Sequence, residues 1–217
     1  MLNPLNQLFP ELNFYRKSLI KEKAHSEPSS LLLALDFAKK RLPYLSEKRL
    51  VYIKEFFVAP IIFHTLHNFD TIALWSHCIE LEKGNQILKP NYLFSCAGSP
   101  PNYDTLKFPI FLLIQVSENL DIHAWENTIS ILCTLQTLQA TNNSNNCIYA
   151  YLTNGWEWEL AQLKEKDITF HSTPYSITQL STLLASIHTL FGTYANYSPL
   201  PSAQRGQNPF WVSIPES

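Results

Sequence analysis

Phe108-Pro109-Ile110-Phe111-Leu112-Leu113-Ile114-Gln115-Val116-Ser117 is the stretch on which the reading of this chain turns. Its centre is an unbroken apolar run, far short of the roughly 20 residues that span a bilayer. That length fits a central strand buried on both faces. Polar side chains enter only at its end, where alternation puts Gln115 and Ser117 on one face. Downstream, residues 122–140 read as a helix, and Ile148-Tyr149-Ala150-Tyr151-Leu152 reads as a second buried strand. A helix between two such strands crosses over in the right-handed sense and leaves them parallel and adjacent.

The neighbouring segments extend this unit in both directions. Residues 72–82 and 87–97 are strand-like and flank Lys83-Gly84-Asn85, a hairpin turn. Asn154-Gly155 is a tight-turn signal, and it leads into a strand over 156–163 that alternates Trp156, Trp158 and Leu160 against Glu157 and Glu159. Residues 168–171 read as an edge strand and 176–191 as a last amphipathic helix. Towards the N-terminus, residues 12–23 read as helical, followed by helices over 29–42 and 46–67, the latter kinked at Pro60. Pro199, Pro201, Pro209 and Pro215 mark the C-terminal segment as extended. The expected organisation is an N-terminal helical extension over 1–45, one α/β domain over 46–192, and a Pro-rich arm over 193–217. The expected fold class is α/β, a mixed β-sheet flanked by helices.

Composition narrows the function classes. The 217 residues are 46% hydrophobic and 13% aromatic, enough for a packed core, with only 16% charged. Lys plus Arg number 16 against 18 Asp plus Glu, a net charge of −2. That balance argues against retention on nucleic acid by bulk electrostatics, which needs a basic excess. Cys78, Cys96, Cys133 and Cys147 lack paired spacing and read as reduced thiols in a cytoplasmic protein. No signal-peptide pattern and no membrane span is read.

Four segments, taken in order, carry a family likeness. They are Pro90-Asn91-Tyr92-Leu93, the run from Pro109 to Ser117, Ala124-Trp125-Glu126-Asn127, and Tyr151-Leu152-Thr153-Asn154-Gly155-Trp156-Glu157-Trp158. This order resembles the PD-(D/E)xK nuclease-like superfamily, the restriction-endonuclease-like fold. It is most similar to small bacterial proteins like the N-terminal nuclease domain of type I restriction motor subunits. The resemblance covers about residues 46–192. It implies a metal-dependent nuclease site whose Asp falls on Asn91, whose Glu falls on Gln115, whose Lys falls on Ser117 and whose helix Gln falls on Asn127. Glu55, on the first long helix, matches an acidic position that often joins that site.

Those substitutions remove the chemistry. Magnesium is held by hard oxygen ligands, normally carboxylates with water and phosphate. The metal activates water and a lysine supports developing negative charge. Asn91 and Gln115 keep the shape of Asp and Glu without the charge, and Ser117 removes the cation. Glu55 alone makes no magnesium site, so these positions read as vestigial, with no cofactor or metal expected. The expected function is a catalytically inactive nuclease-fold protein acting as a protein-binding or assembly subunit. The alternatives are a nuclease whose site has migrated to carboxylates such as Glu55, Glu80 and Glu118, or a nucleic-acid-binding module that does not cut.

A gap in charge points to partners. From Asn127 to Trp156, thirty residues hold no Asp, Glu, Lys or Arg. Asn127, Ser130, Thr134 and Thr137 lie along one helix face in that window. Neutral hydroxyls and amides cost less to desolvate than ions. The face is therefore a candidate interface for another subunit or for self-association, with nucleic acid the less favoured partner.

Overall fold

The computed structural model describes residues 2–21, 28–44, 49–76, 79–84, 86–96, 109–141 and 147–195. The helical segment opens with α1 (Leu2–Leu8), then β1 (Asn13–Arg16) and α2 (Ser29–Arg41). Next come α3 (Arg49–Ile53), a π-helical turn (Lys54–Val58) and α4 (Ala59–Leu66), which follow without a break. The strands β2 (Ile72–Ser76), β3 (Leu81–Lys83), β4 (Gln86–Leu88), β5 (Tyr92–Cys96) and β6 (Ile110–Val116) lead to α5 (Ile122–Thr141). The chain continues with β7 (Ile148–Thr153), β8 (Glu157–Lys164), β9 (Asp167–Phe170) and β10 (Tyr175–Ser176), and closes with α6 (Leu180–Ala195).

The main sheet runs β1-β9-β8-β7-β6-β5-β2, with β10 pairing onto β8. At its centre, β6 is buried at every one of its seven positions. It pairs in parallel with β7, Leu112 opposite Tyr149 through Val116 opposite Thr153. On its other side it is antiparallel to β5. The expected parallel pair joined by the long helix is therefore present, because both strands are apolar throughout and α5 spans the crossover. This is a mixed α/β fold with a large mixed sheet flanked by helices.

Strand alternation divides the core in two. Tyr92, Phe94, Leu112, Ile114 and Val116 point into a layer packed by α2, the α3–α4 helix and α6. Leu93 and Leu113 point the other way, as does Ile110 beyond the register shift at Phe94/Ser95, into a layer closed by α5 with Leu5 and Phe9 from the N-terminal segment. The Asp121 carboxylate accepts from the Ala124 N–H at 2.9 Å and caps the start of α5.

Three expectations are corrected. Residues 13–16, read as helix, form β1, which pairs in parallel with β9. Asn-Phe-Tyr-Arg favours an extended chain, its alternation fits a half-covered strand, and Asn13 Nδ2 donates to Asp167 Oδ1 at 2.9 Å. Consequently β9 is not an edge; β1 is. The two long strands expected around residue 84 are each broken. β2 pairs with β5 in the main sheet, whereas β3 and β4 form a separate hairpin. Pro90 lies in the break between β4 and β5 and carries no N–H to continue a ladder.

The expected kink at Pro60 takes a specific form. Proline lacks an N–H and its ring crowds the carbonyl four residues back. The chain widens just before it, so that the Ala59 N–H reaches the Lys54 carbonyl. The extended arm expected over 193–217 is corrected at its start, since residues 193–195 continue α6; from 196 onward it lies outside the described residues.

Two turn glycines make a matched test of this packing. Gly155 has φ +89°, and an added Cβ would sit 3.0 Å from Ile53 Cγ2 and 3.4 Å from Phe57 Cβ. Gly84 has φ +59° with nothing within 4 Å. In urea denaturation, Gly84→Ala is expected to cost about 1 kcal/mol for its left-handed backbone alone. Gly155→Ala is expected to cost about 2–4 kcal/mol, because backbone strain and overpacking act together.

Candidate functional site

Asn91 and Gln115 meet at the end of β6. The Asn91 N–H donates to Gln115 Oε1 at 3.1 Å. The Val116 N–H in turn donates to Asn91 Oδ1 at 2.7 Å. Both side chains are buried. The two amides thus carry the β5–β6 ladder past the point where main-chain pairing stops and satisfy two donors that burial would otherwise leave exposed to an apolar layer. Ser117 is half-buried, and its N–H donates to the Thr153 carbonyl at 2.9 Å.

Cross-strand register places further side chains in line with this pair. Gln115 lies opposite Leu152, and Leu152 lies opposite Glu159. By alternation with Leu93, Leu113 and Ala161, the row Asn91, Gln115, Leu152 and Glu159 belongs to the α5 layer. The buried Trp125 donates its indole N–H to Glu159 Oε2 at 2.5 Å. That contact was not foreseen from sequence. Its signal was Glu159 on the face opposite Trp158 and Leu160.

Glu55 is not brought to that row. It sits exposed on the π-helical turn, whose neighbours Ile53, Phe57 and Val58 pack into the other layer. Its electrostatic neighbour there is Tyr92, which donates its hydroxyl to the Lys54 carbonyl at 3.1 Å. Burial, reinforced by the Glu55 carboxylate, pushes the Tyr92 phenol up to about 12. Burial also lowers the Lys54 ammonium, with Glu55 opposing. Asn127 on α5 is exposed, whereas Gln115 is buried.

The turn after β7 is held by its own side chains. Thr153 Oγ1 accepts from the Gly155 N–H at 2.9 Å. Asn154 Oδ1 accepts from the N–H groups of Trp156 at 3.0 Å and Glu157 at 2.9 Å. Trp158 is fully buried. Trp156 packs on Phe57 with centroids 4.9 Å apart, and the Lys39 ammonium lies 5.5 Å over its ring.

The predicted interface on α5 is half closed by the chain itself. Asn127 and Thr137 are exposed, but Ser130 and Thr134 are partly covered. Lys83 of the hairpin approaches Ser130 Oγ at 3.4 Å. The Thr134 and Thr137 hydroxyls donate one turn back, to the Ser130 and Cys133 carbonyls, at 2.9 Å each. Much of the charge gap is thus internal, since β7 is central and α5 is covered.

No protein-family model matches the chain, and no curated protein matches it. Among the described residues, no group of three His, Cys, Asp or Glu side chains is placed to hold a metal ion. Among them too, no helix is long and apolar enough to cross a membrane.

The raised Tyr92 phenol has a testable consequence. The unfolded chain releases this proton near the ordinary value of 10.0, whereas the folded chain keeps it up to about 12. Between those values the folded state binds more protons, so stability is full below pH 10 and falls as pH rises. Tyr149, also raised to about 12, adds to the same slope. Urea midpoints measured between pH 9 and 12 are expected to fall, and Tyr92→Phe is expected to flatten part of that fall.

Proposed function

We propose that this chain is a catalytically inactive protein of nuclease-like topology that works as a protein-binding or assembly subunit. The Asn91–Gln115 pair is the observation that carries the reading. A two-metal or one-metal nuclease needs anionic oxygens aimed at a cation. Here the two corresponding side chains are neutral, and an oxygen of each accepts from a backbone N–H. Their burial fits this use: a carboxylate there would lose most of its hydration without a cation to replace it.

Glu55 supports the same reading from the other side of the sheet. It is exposed on a turn whose buried neighbours Ile53 and Phe57 pack into the layer opposite the one that Gln115 faces. At the former lysine position, Ser117 offers a hydroxyl and no positive charge. What persists is the scaffold: a packed sheet with its ends closed by hydrogen bonds, suited to presenting surfaces rather than to holding a reactive cation.

The test is direct. Purified protein with magnesium or manganese is expected to cut neither DNA nor RNA above a control preparation. Metal-dependent cleavage that disappears in Glu55→Ala overturns the reading. The triple change Asn91→Asp, Gln115→Glu and Ser117→Lys restores the missing charges. It is expected to bind manganese detectably by calorimetry where the unaltered protein does not.

A further inference from the structure

The reading above leaves open which surface binds and what it takes. The outer face of the helical layer answers both. Leu33 is 72% exposed, Phe37 52%, Val51 56%, Phe56 46% and Phe63 56%. The two helices that carry them pack side by side, with the Tyr52 hydroxyl donating to the Ala38 carbonyl at 3.3 Å. Both bury their opposite faces in one core layer, so these five side chains look outward from the same side of the molecule. At about 150–200 Å² for each fully exposed residue, the fractions amount to about 500 Å². That is more than half of the roughly 800 Å² that one partner contributes to a standard interface.

Charge around this face selects the partner. Asp36 is already paired with Lys40 at 2.7 Å. Arg41, whose guanidinium lies 4.6 Å over the Phe37 ring, and Arg49 are exposed on these helices against Glu55, while Lys39 is turned onto Trp156 and Lys54 is half-buried. In a chain of net charge −2, this is a local basic excess bordering an apolar row. Two copies facing each other through it would oppose like charges, which disfavours self-association here. Two neighbouring helices with exposed Leu and Phe rows fit the apolar side of a third helix. From this juxtaposition, and resting on the binding-subunit reading, we propose that the outer face of α2–α4 docks an amphipathic helix of a partner protein whose apolar row is bordered by acidic residues.

The experiment uses the full chain and two fluorescent helical peptides with one shared Leu/Phe row, flanked by Glu in one and by Lys in the other. Fluorescence anisotropy is expected to show the Glu-flanked peptide binding at least tenfold tighter. That binding is expected to weaken at least tenfold in Phe37→Glu/Phe63→Glu and to fall as salt rises, and to persist in Ser130→Glu/Thr134→Lys. Both substituted residues of the first variant are exposed, and an unchanged circular dichroism melt confirms folding; Val51→Lys serves as a second probe of the face. The proposal is overturned by no peptide binding, by equal binding of the Lys-flanked peptide, or by binding that survives both face variants. Displacement of the peptide by a DNA oligonucleotide, or a dimer in light scattering that the face variants dissolve, likewise overturns it. If the peptides fail while cleavage is also absent, this inference falls and the inactive-subunit reading stands.

Discussion

A strand buried on both faces has nowhere to send its backbone polar groups except to its neighbours, and β6 is such a strand at all seven positions. Along most of its length β5 and β7 supply the partners. At the C-terminal end the supply fails, because β5 begins just after Pro90. Asn91 and Gln115 fill that gap with their side-chain oxygens, which accept from the Val116 and Asn91 N–H groups respectively. An unpaired buried N–H costs about 1–3 kcal/mol, so these amides are as much a part of the sheet as its main chain. The turn after β7 is closed in the same way by Thr153 and Asn154.

This constraint also organises what the site can do. Closing the ladder fixes Asn91 and Gln115 in the α5 layer, in register with Leu152 and Glu159. Tyr92, one residue on, necessarily points to the opposite layer, where it reaches the Lys54 carbonyl on the π-helical turn. Glu55 rides on that same turn. The sheet therefore separates the turn that carries Glu55 from the two amides. The π turn contributes to this, since its Lys54 carbonyl accepts from both the Ala59 N–H and the Tyr92 hydroxyl.

Much of this was legible in the sequence where the pattern was strong and local. The apolar run ending at Gln115, the crossover helix and the strand at 148 each carry one unambiguous period, and their pairing followed from handedness. Less visible were features that depend on distant partners. Residues 13–16 join the sheet because β9 offers an edge more than 150 residues away, and no local period announces that. The break between β2 and β3 was hidden because both flanking segments favour extended backbone. The layer beneath Glu55 was hidden for a similar reason: helical spacing says which residues share a face, but not which layer of a sheet that face will meet. The charge gap from 127 to 156 covers the buried strand β7, and on α5 it leaves Ser130 within reach of Lys83 while Asn127 and Thr137 stay exposed.

The central claim is that Asn91 and Gln115 act as one closed unit of the sheet, and a double-mutant cycle measures that unit directly. Asn91→Ala, Gln115→Ala and the pair, compared by urea denaturation, are predicted to be non-additive. The double variant is expected to lose less than the sum of the singles by about 1 kcal/mol or more, since breaking either bond releases the strand end that holds the other. Losses that add within about 0.3–0.5 kcal/mol would mean the two amides act independently, and would contradict the account.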